Sequence, residues 1–178
     1  IDTIDGQVED VAVVNLHLPA VTYEGGITIQ DRSMNLYGST DQDGTRTTFT
    51  SPVQVLEGSG NITYFYDMDF VGSGSGIGLS GSAPFRATNC TFTGWETGVL
   101  AYGNSWANVI GCTFRYNLIG FRFDSNGEYA NHSMFNDNTF VGNDVGVQLD
   151  NVPTDVTLNF QGSVFRDNGT SIDNRCEQ

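Results

Sequence analysis

The chain has 178 residues and a formal net charge of −14 at pH 7, and all seven of its basic residues are arginine. This length suits one domain with a continuous core. Such an acidic surface repels phosphate backbones and anionic lipid headgroups, which excludes nucleic acid as a partner. No apolar run of about 18 residues occurs, so the sequence predicts no insertion into a membrane.

The first 13 residues, "IDTIDGQVEDVAV", do not share the pattern of the rest. We predict that residues 1–13 form an N-terminal cap or the remnant of a linker, and that residues 14–178 form one repeat domain. The chain begins at Ile1, without a Met and without a signal-type apolar run. This beginning indicates a soluble, processed piece of a longer protein.

From residue 26 onwards, an apolar residue that follows a Gly, or a Pro or Ser in its place, recurs every 22–26 residues. Alternation of apolar and polar residues around it predicts a short strand, with this anchor and the residue two positions later facing inward. The anchors are Ile27, Val53, Ile77, Val99, Phe121, Val147 and Ile172.

A series of Phe residues lies seven positions before the anchors and predicts another strand in each copy. Three residues after the Phe, the last three copies carry an Asn, at Asn117, Asn143 and Asn168. Cys90 and Cys112 occupy one inward position on consecutive copies, where we expect two stacked, buried thiols. The Phe series is Phe70, Phe92, Phe114, Phe140 and Phe165.

Short strands at this spacing suit neither a propeller blade, which needs about 40 residues, nor a leucine-rich repeat, which has a denser Leu pattern. They suit a coil that climbs by one strand spacing of about 4.8 Å per turn, so that equivalent residues stack. The sequence therefore predicts an all-β fold, a parallel β-helix of about seven coils.

The copies "NCTFTGWETGV" and "GCTFRYNLIGF", and the entry stretch "LHLPAVTYEGGITIQDRSMNLYGST", resemble right-handed parallel β-helix proteins of the pectin-lyase-like group. The resemblance runs from about Val14 to Asn174 and implies a right-handed coil. In the lyases of this group, acidic residues on one exposed sheet hold Ca²⁺ and a basic residue abstracts a proton from a uronate. The motif sets of polygalacturonases and pectin methylesterases are absent from the chain.

Outward positions on the anchor strand bring two acidic residues together. Asp124 and Asp150 are expected to be vertical neighbours, with Arg122 beside them and Tyr102 one coil below Asp124. One interpretation is a catalytic site of a polysaccharide lyase or glycoside hydrolase, in which the two carboxylates can also bind Ca²⁺ and either Arg122 or Arg175, one coil beyond Asp150, serves as the base. The other is a ladder of opposite charges that only stabilises a solvated face.

Aromatic residues give a second candidate site. Trp95 follows a ladder Phe, Trp106 lies in the loop "GNSWANV", and Tyr102 lies on the outward strand between them. Rings with an apolar face and a polar tip suit sugars or a protein partner, although the same residues can serve local packing. His17 and His132 have no spaced metal-ligating partners, and we interpret both as packing or turn residues.

These observations predict a secreted or surface-displayed module that binds a glycan through Trp95, Tyr102 and Trp106, or that acts as a rigid spacer in a larger protein. The alternative is an enzyme acting on an acidic polysaccharide through Asp124, Asp150 and Arg122. We expect no cofactor other than Ca²⁺ for the catalytic alternative.

Overall fold

A computed structural model describes residues 13–56, 62–127 and 130–176. In these residues the chain forms 19 short strands and one 3₁₀ turn, Ala130–His132, and no α-helix. No helix there has the length and apolarity that crossing a membrane requires. The predicted cap at residues 1–13 lies outside the described residues except for Val13.

The strands form three parallel sheets, two of which contain seven strands, so the predicted coil of seven turns is confirmed. Sheet A has five strands and takes the first strand of each of the first five coils: β1 (Val14–His17), β4 (Met34–Tyr37), β7 (Thr63–Tyr66), β10 (Phe85–Thr88) and β13 (Ala107–Ile110).

Sheet B takes the second strand of each coil, which carries the Phe ladder: β2 (Thr22–Tyr23), β5 (Thr48–Phe49), β8 (Asp69–Val71), β11 (Thr91–Thr93), β14 (Thr113–Arg115), β16 (Thr139–Val141) and β18 (Val164–Arg166).

Sheet C takes the third strand of each coil, which carries the anchor: β3 (Ile27–Ile29), β6 (Val53–Val55), β9 (Ile77–Gly81), β12 (Thr97–Gly103), β15 (Ile119–Ser125), β17 (Val145–Leu149) and β19 (Thr170–Asn174).

The interior of the coil is built from stacked side chains of one type. Phe92 stacks on Phe114 with ring centroids 5.1 Å apart, and Phe114 stacks on Phe140 at 4.8 Å. The predicted Phe ladder is confirmed, and Tyr23 and Phe49 extend it to the first coil. Each fully buried ring contributes roughly 1.5–3 kcal/mol by leaving water, so the ladder is a main source of stability.

A buried Asn ladder joins sheet B to sheet C, as predicted. The Asn117 side-chain amide donates to the Phe92 carbonyl at 3.1 Å and to Asn143 Oδ1 at 3.0 Å. Asn143 repeats the pattern one coil later, donating to the Phe114 carbonyl and to Asn168 Oδ1. These bonds satisfy polar groups that would otherwise be buried without partners, which fixes the register of neighbouring coils.

The turn that precedes the sheet B strand contains one left-handed residue in coils three to seven. Asn, Asp and Gly tolerate this conformation at the lowest cost, which explains the residue types found there. The positions are Asp67, Asn89, Gly111, Asp137 and Gly162, with φ between 52° and 74°.

The third coil departs from the predicted register by two residues. Val53 and Val99 both pair with Leu79, whereas Ile77 pairs with Thr97. The buried anchor of this coil is therefore Leu79, and the prediction of Ile77 was wrong. The strand reads Gly-Ile-Gly-Leu-Ser-Gly, so two Gly-apolar pairs satisfy the pattern, and a slip of two residues keeps every side chain on the same face.

Cys90 and Cys112 occupy the predicted inward positions and are free thiols. The Cys90 backbone N–H donates to Cys112 Sγ at 3.4 Å, and Cys90 Sγ donates to the Thr88 carbonyl at 3.4 Å. Burial raises the pKa of Cys90 well above its ordinary value, with the neighbouring Cys112 adding to the shift. Cys90 is therefore a packing residue and not a reactive thiol.

Candidate functional site

Two outward surfaces carry the candidate residues, and the first lies on sheet C. Arg122 Nε donates to Asp150 Oδ2 at 2.8 Å, and Arg122 Nη2 donates to Asp124 Oδ2 at 3.1 Å. Tyr102 pairs with Asp124 in the register of β12 and β15. The sequence therefore placed these four residues correctly, although their role was left open between catalysis and structure.

Both carboxylates accept a further hydrogen bond from an amide side chain of the sixth coil. Gln148 Nε2 donates to Asp150 Oδ2 at 2.7 Å, and Asn151 Nδ2 donates to Asp124 Oδ1 at 2.7 Å. Burial alone raises the pKa of Asp150, but the hydrogen bonds from Gln148 and Arg122 and the charges of Arg122 and Arg175 outweigh it. The net result is a lowered pKa for Asp150.

This geometry describes a closed polar network. Arg122 already bridges the two carboxylates through hydrogen bonds from Nε and Nη2, so its geometry is that of a structural ion pair and not of a catalytic base. A general acid needs a raised pKa, and the pKa of Asp150 moves the other way. Among the described residues, no group of three or more His, Cys, Asp or Glu side chains could hold a metal ion.

The predicted aromatic patch is not one surface. Trp95 is 3% exposed, and its indole fills the space above Gly72 and Gly78 of the coil below, where an added Cβ would lie 2.5 and 2.9 Å from ring atoms. Its ring is therefore unavailable to a ligand. Tyr102 lies on sheet C, whereas Trp106 lies immediately before the sheet A strand β13, beyond a corner of the coil.

The second surface is an aromatic stripe on the outside of sheet A. Its rings run across three coils: His17 stacks on Tyr37 at 4.9 Å, and Tyr37 stacks on Tyr66 at 5.0 Å. Tyr64 lies 6.1 Å from Tyr66 on the same strand. From there the stripe continues through Arg86 to Trp106. We call His17, Tyr37, Tyr64, Tyr66, Arg86 and Trp106 the sheet A stripe.

Arg86 links Trp106 to the tyrosine rings of the stripe. Its guanidinium lies over the Tyr64 ring at 5.0 Å and over the Trp106 ring at 5.5 Å, so it makes cation–π contacts with both. Burial, helped by the neighbouring Tyr37 and Tyr64, raises the pKa of Tyr66, while Arg86 opposes the shift. The Tyr66 hydroxyl therefore stays protonated and can donate a hydrogen bond.

The stacking decides which part of each ring meets solvent. Within the tyrosine series the planes are nearly parallel, 15° apart for His17–Tyr37 and 6° for Tyr37–Tyr66, so the faces cover one another. The outer edges and polar tips remain for a ligand. An additional ring can stack only at an end of the stripe, which is where Trp106 lies.

Sequence reasoning missed most of this stripe, although a signal was present. In coils three to five, the outward positions of sheet A lie six and four residues before each ladder Phe. Because neighbouring members differ in type, no repeat marks them. They can be found only after the copies have been aligned on the ladder Phe. The positions are Tyr64 and Tyr66, Arg86 and Thr88, and Asn108 and Ile110.

A cavity of about 370 Å³ opens at the last coil, away from both surfaces. Its lining is mostly apolar and includes Leu158, Phe160, Ile172 and Cys176. Ile172 is 43% exposed because no strand in the described residues covers this end of sheet C. None of the predicted site residues lines the cavity.

Comparison with known proteins agrees with the architecture. A family model described as "Right handed beta helix region" matches residues 25–177. Comparison with curated proteins and with solved structures found no match. The match covers most of the chain, and the three parallel sheets show the coil that this description names. The chain therefore belongs to the right-handed β-helix family.

Proposed function

We propose that this chain is a non-catalytic module, secreted or displayed on a surface, that binds a carbohydrate through the outward face of sheet A. The single observation that carries the proposal is the sheet A stripe. Five aromatic rings line the outside of a sheet whose core is already filled from within by other residues. Half-buried rings with polar tips are typical of surfaces that bind sugars.

The charge on the chain also supports a ligand that is not a polyanion. A net charge of −14 disfavours polyanions at long range, and aromatic edges with hydroxyl tips offer contacts to C–H groups and to sugar hydroxyls. Cross-strand aromatic pairs also stabilise sheets by roughly 0.2–1 kcal/mol each, which is the competing explanation that an experiment must remove.

The catalytic alternative has weaker support. Arg122 is held by two carboxylates, and the pKa of Asp150 is lowered, so neither group is poised for proton transfer. We therefore propose that Asp124, Asp150 and Arg122 stabilise sheet C.

A glycan array with neutral and acidic members tests the proposal. The purified chain is compared with the double variant Tyr37→Ser/Tyr66→Ser and with the control Tyr102→Ser. Tyr102 is also a half-buried, outward tyrosine, but it lies on sheet C. Circular dichroism confirms that each variant keeps its β structure.

Binding that falls about tenfold or more in the sheet A variant, and that survives in Tyr102→Ser, supports the proposal. A blank array overturns it and leaves the rigid spacer. Equal binding by the wild type and the sheet A variant also overturns it. Absorbance from an unsaturated product on incubation with polygalacturonate or alginate would replace it with the lyase alternative.

A further inference from the structure

Three buried polar atoms at one end of the sheet A stripe have no hydrogen-bond partner among the residues that the structure describes. They are Arg86 Nε, Asn108 Oδ1 and Asn136 Oδ1. Asn108 is only 7% exposed. Leaving such an atom unpaired costs roughly 1–3 kcal/mol, so three together at one place indicate a surface that is incomplete without a ligand.

The strand register brings these residues onto three consecutive coils. Arg86 is the direct cross-strand partner of Asn108. Asn108 forms a parallel bridge with Met134, and the Gly111 N–H donates to the Asn136 carbonyl at 3.0 Å, which places Asn136 one coil further on. Neighbouring strands lie about 4.8 Å apart, so the three groups span a length comparable to one or two sugar rings.

Arg86 is not part of a charge pair. Arg46, Arg122 and Arg175 each form a salt bridge with an Asp. Arg86 forms none with any acidic residue in the described ranges, although the chain contains 21 acidic residues. Its guanidinium is instead positioned by the rings of Tyr64 and Trp106, which leaves its N–H groups free of a carboxylate.

The mixture of unpaired groups defines the ligand chemistry. Arg86 supplies donors, whereas the two Asn side chains supply carbonyl oxygens, which only accept. A carboxylate or a sulfate satisfies the arginine but places negative oxygen against the amide oxygens. A hydroxyl group accepts from Arg86 and donates to an Asn oxygen at once, so neighbouring hydroxyls of one sugar ring satisfy the whole set.

We propose that Arg86, Asn108 and Asn136 form a subsite for the adjacent hydroxyl groups of a neutral sugar, with Trp106 stacking on the ring. This inference rests on the proposed carbohydrate-binding function and names its ligand class. Met134 is the outward neighbour of Asn108 and is 40% exposed. Its flexible side chain turns aside when the sugar reaches the buried oxygens.

Titration with neutral cello-, manno- and galacto-oligosaccharides, and with oligogalacturonate, tests the inference by calorimetry or NMR. Asn108→Ala and Arg86→Lys are expected to weaken binding of a neutral oligosaccharide by about tenfold or more. Asn108→Ala leaves the melting temperature unchanged or raises it, because it removes an unpaired polar group.

Arg115→Gln serves as the matched control. Arg115 is an exposed arginine on sheet B that donates to Thr93 Oγ1, and its replacement leaves binding unchanged. A preference for oligogalacturonate overturns the neutral-sugar inference while the proposed function stands. Loss of binding in Tyr37→Ser/Tyr66→Ser, with binding retained in Asn108→Ala and Arg86→Lys, also overturns the subsite inference and leaves the proposed carbohydrate-binding function standing. Failure of every carbohydrate to bind overturns both.

Discussion

The outward faces of sheet C and sheet A use the same coil in opposite ways. On sheet C, Arg122 contacts both Asp124 and Asp150, and each carboxylate has an additional amide donor. On sheet A, Arg86 lies over two aromatic rings, and its Nε has no hydrogen-bond partner in the described part of the chain. A closed network offers a ligand little because its groups already satisfy one another, whereas an open network can gain free energy on binding.

The two tryptophans provide the largest expected contrast. Trp95→Ala empties the space above Gly72 and Gly78, and we expect a loss of about 3–5 kcal/mol in the free energy of unfolding. Trp106→Ala removes a half-buried outward ring and is expected to cost about 1 kcal/mol while weakening carbohydrate binding. Urea denaturation measures both, and equal losses would remove the distinction between an interior ring and a surface ring.

The two arginines provide the next contrast. Arg122→Ala leaves Asp124 and Asp150 as close like charges, and we expect the free energy of unfolding to fall by about 1–2 kcal/mol. Arg86→Ala loses only cation–π contacts, for an expected fall of about 0.5 kcal/mol. Thermal denaturation of the two variants at one pH compares them. A larger loss in Arg86→Ala would show that the sheet A stripe is the main structural network.

The pH dependence of stability tests the sheet C network separately. Because the pKa of Asp150 is lowered in the folded chain, its contribution is fully present above the unfolded value of about 3.9. That contribution disappears as the pH falls through the lower, folded pKa. Wild type and Asp150→Asn are compared by denaturation between about pH 5 and pH 2.5. We expect their stability difference to shrink with acid, and a constant difference would contradict the lowered pKa.

The sequence predicted what the repeats encode. Residues that stack on their own type, such as Phe92 on Phe114 and Asn117 on Asn143, recur at constant offsets and could be read directly. The same alternation fixed the outward positions of Arg122 and Asp124. The choice between Ile77 and Leu79 could not be made, because both positions have the same face and the same preceding Gly.

The residues that failed prediction depend on contacts between coils. Trp95 turns inward because two glycines of the preceding coil leave room for an indole, and nothing local to Trp95 reports that space. His17 was interpreted as a packing or turn residue, and its stacking on Tyr37 agrees with packing, but its place as the first ring of the stripe was not predicted. Such positions become visible only when the coils are aligned strand by strand.

Calcium provides the smallest expected effect and the sharpest test of the closed network. Asp124 and Asp150 already accept hydrogen bonds from Arg122, so a cation entering between them must displace a guanidinium held at 2.8 and 3.1 Å. We therefore expect millimolar Ca²⁺ or a chelator to leave the melting temperature of the wild type unchanged. In Arg122→Ala the guanidinium no longer occupies the space between the two carboxylates. Ca²⁺ is therefore expected to bind there and to restore part of the lost stability. Stabilisation of the wild type by Ca²⁺ would show that the acidic pair is a metal site and that sheet C is the open face.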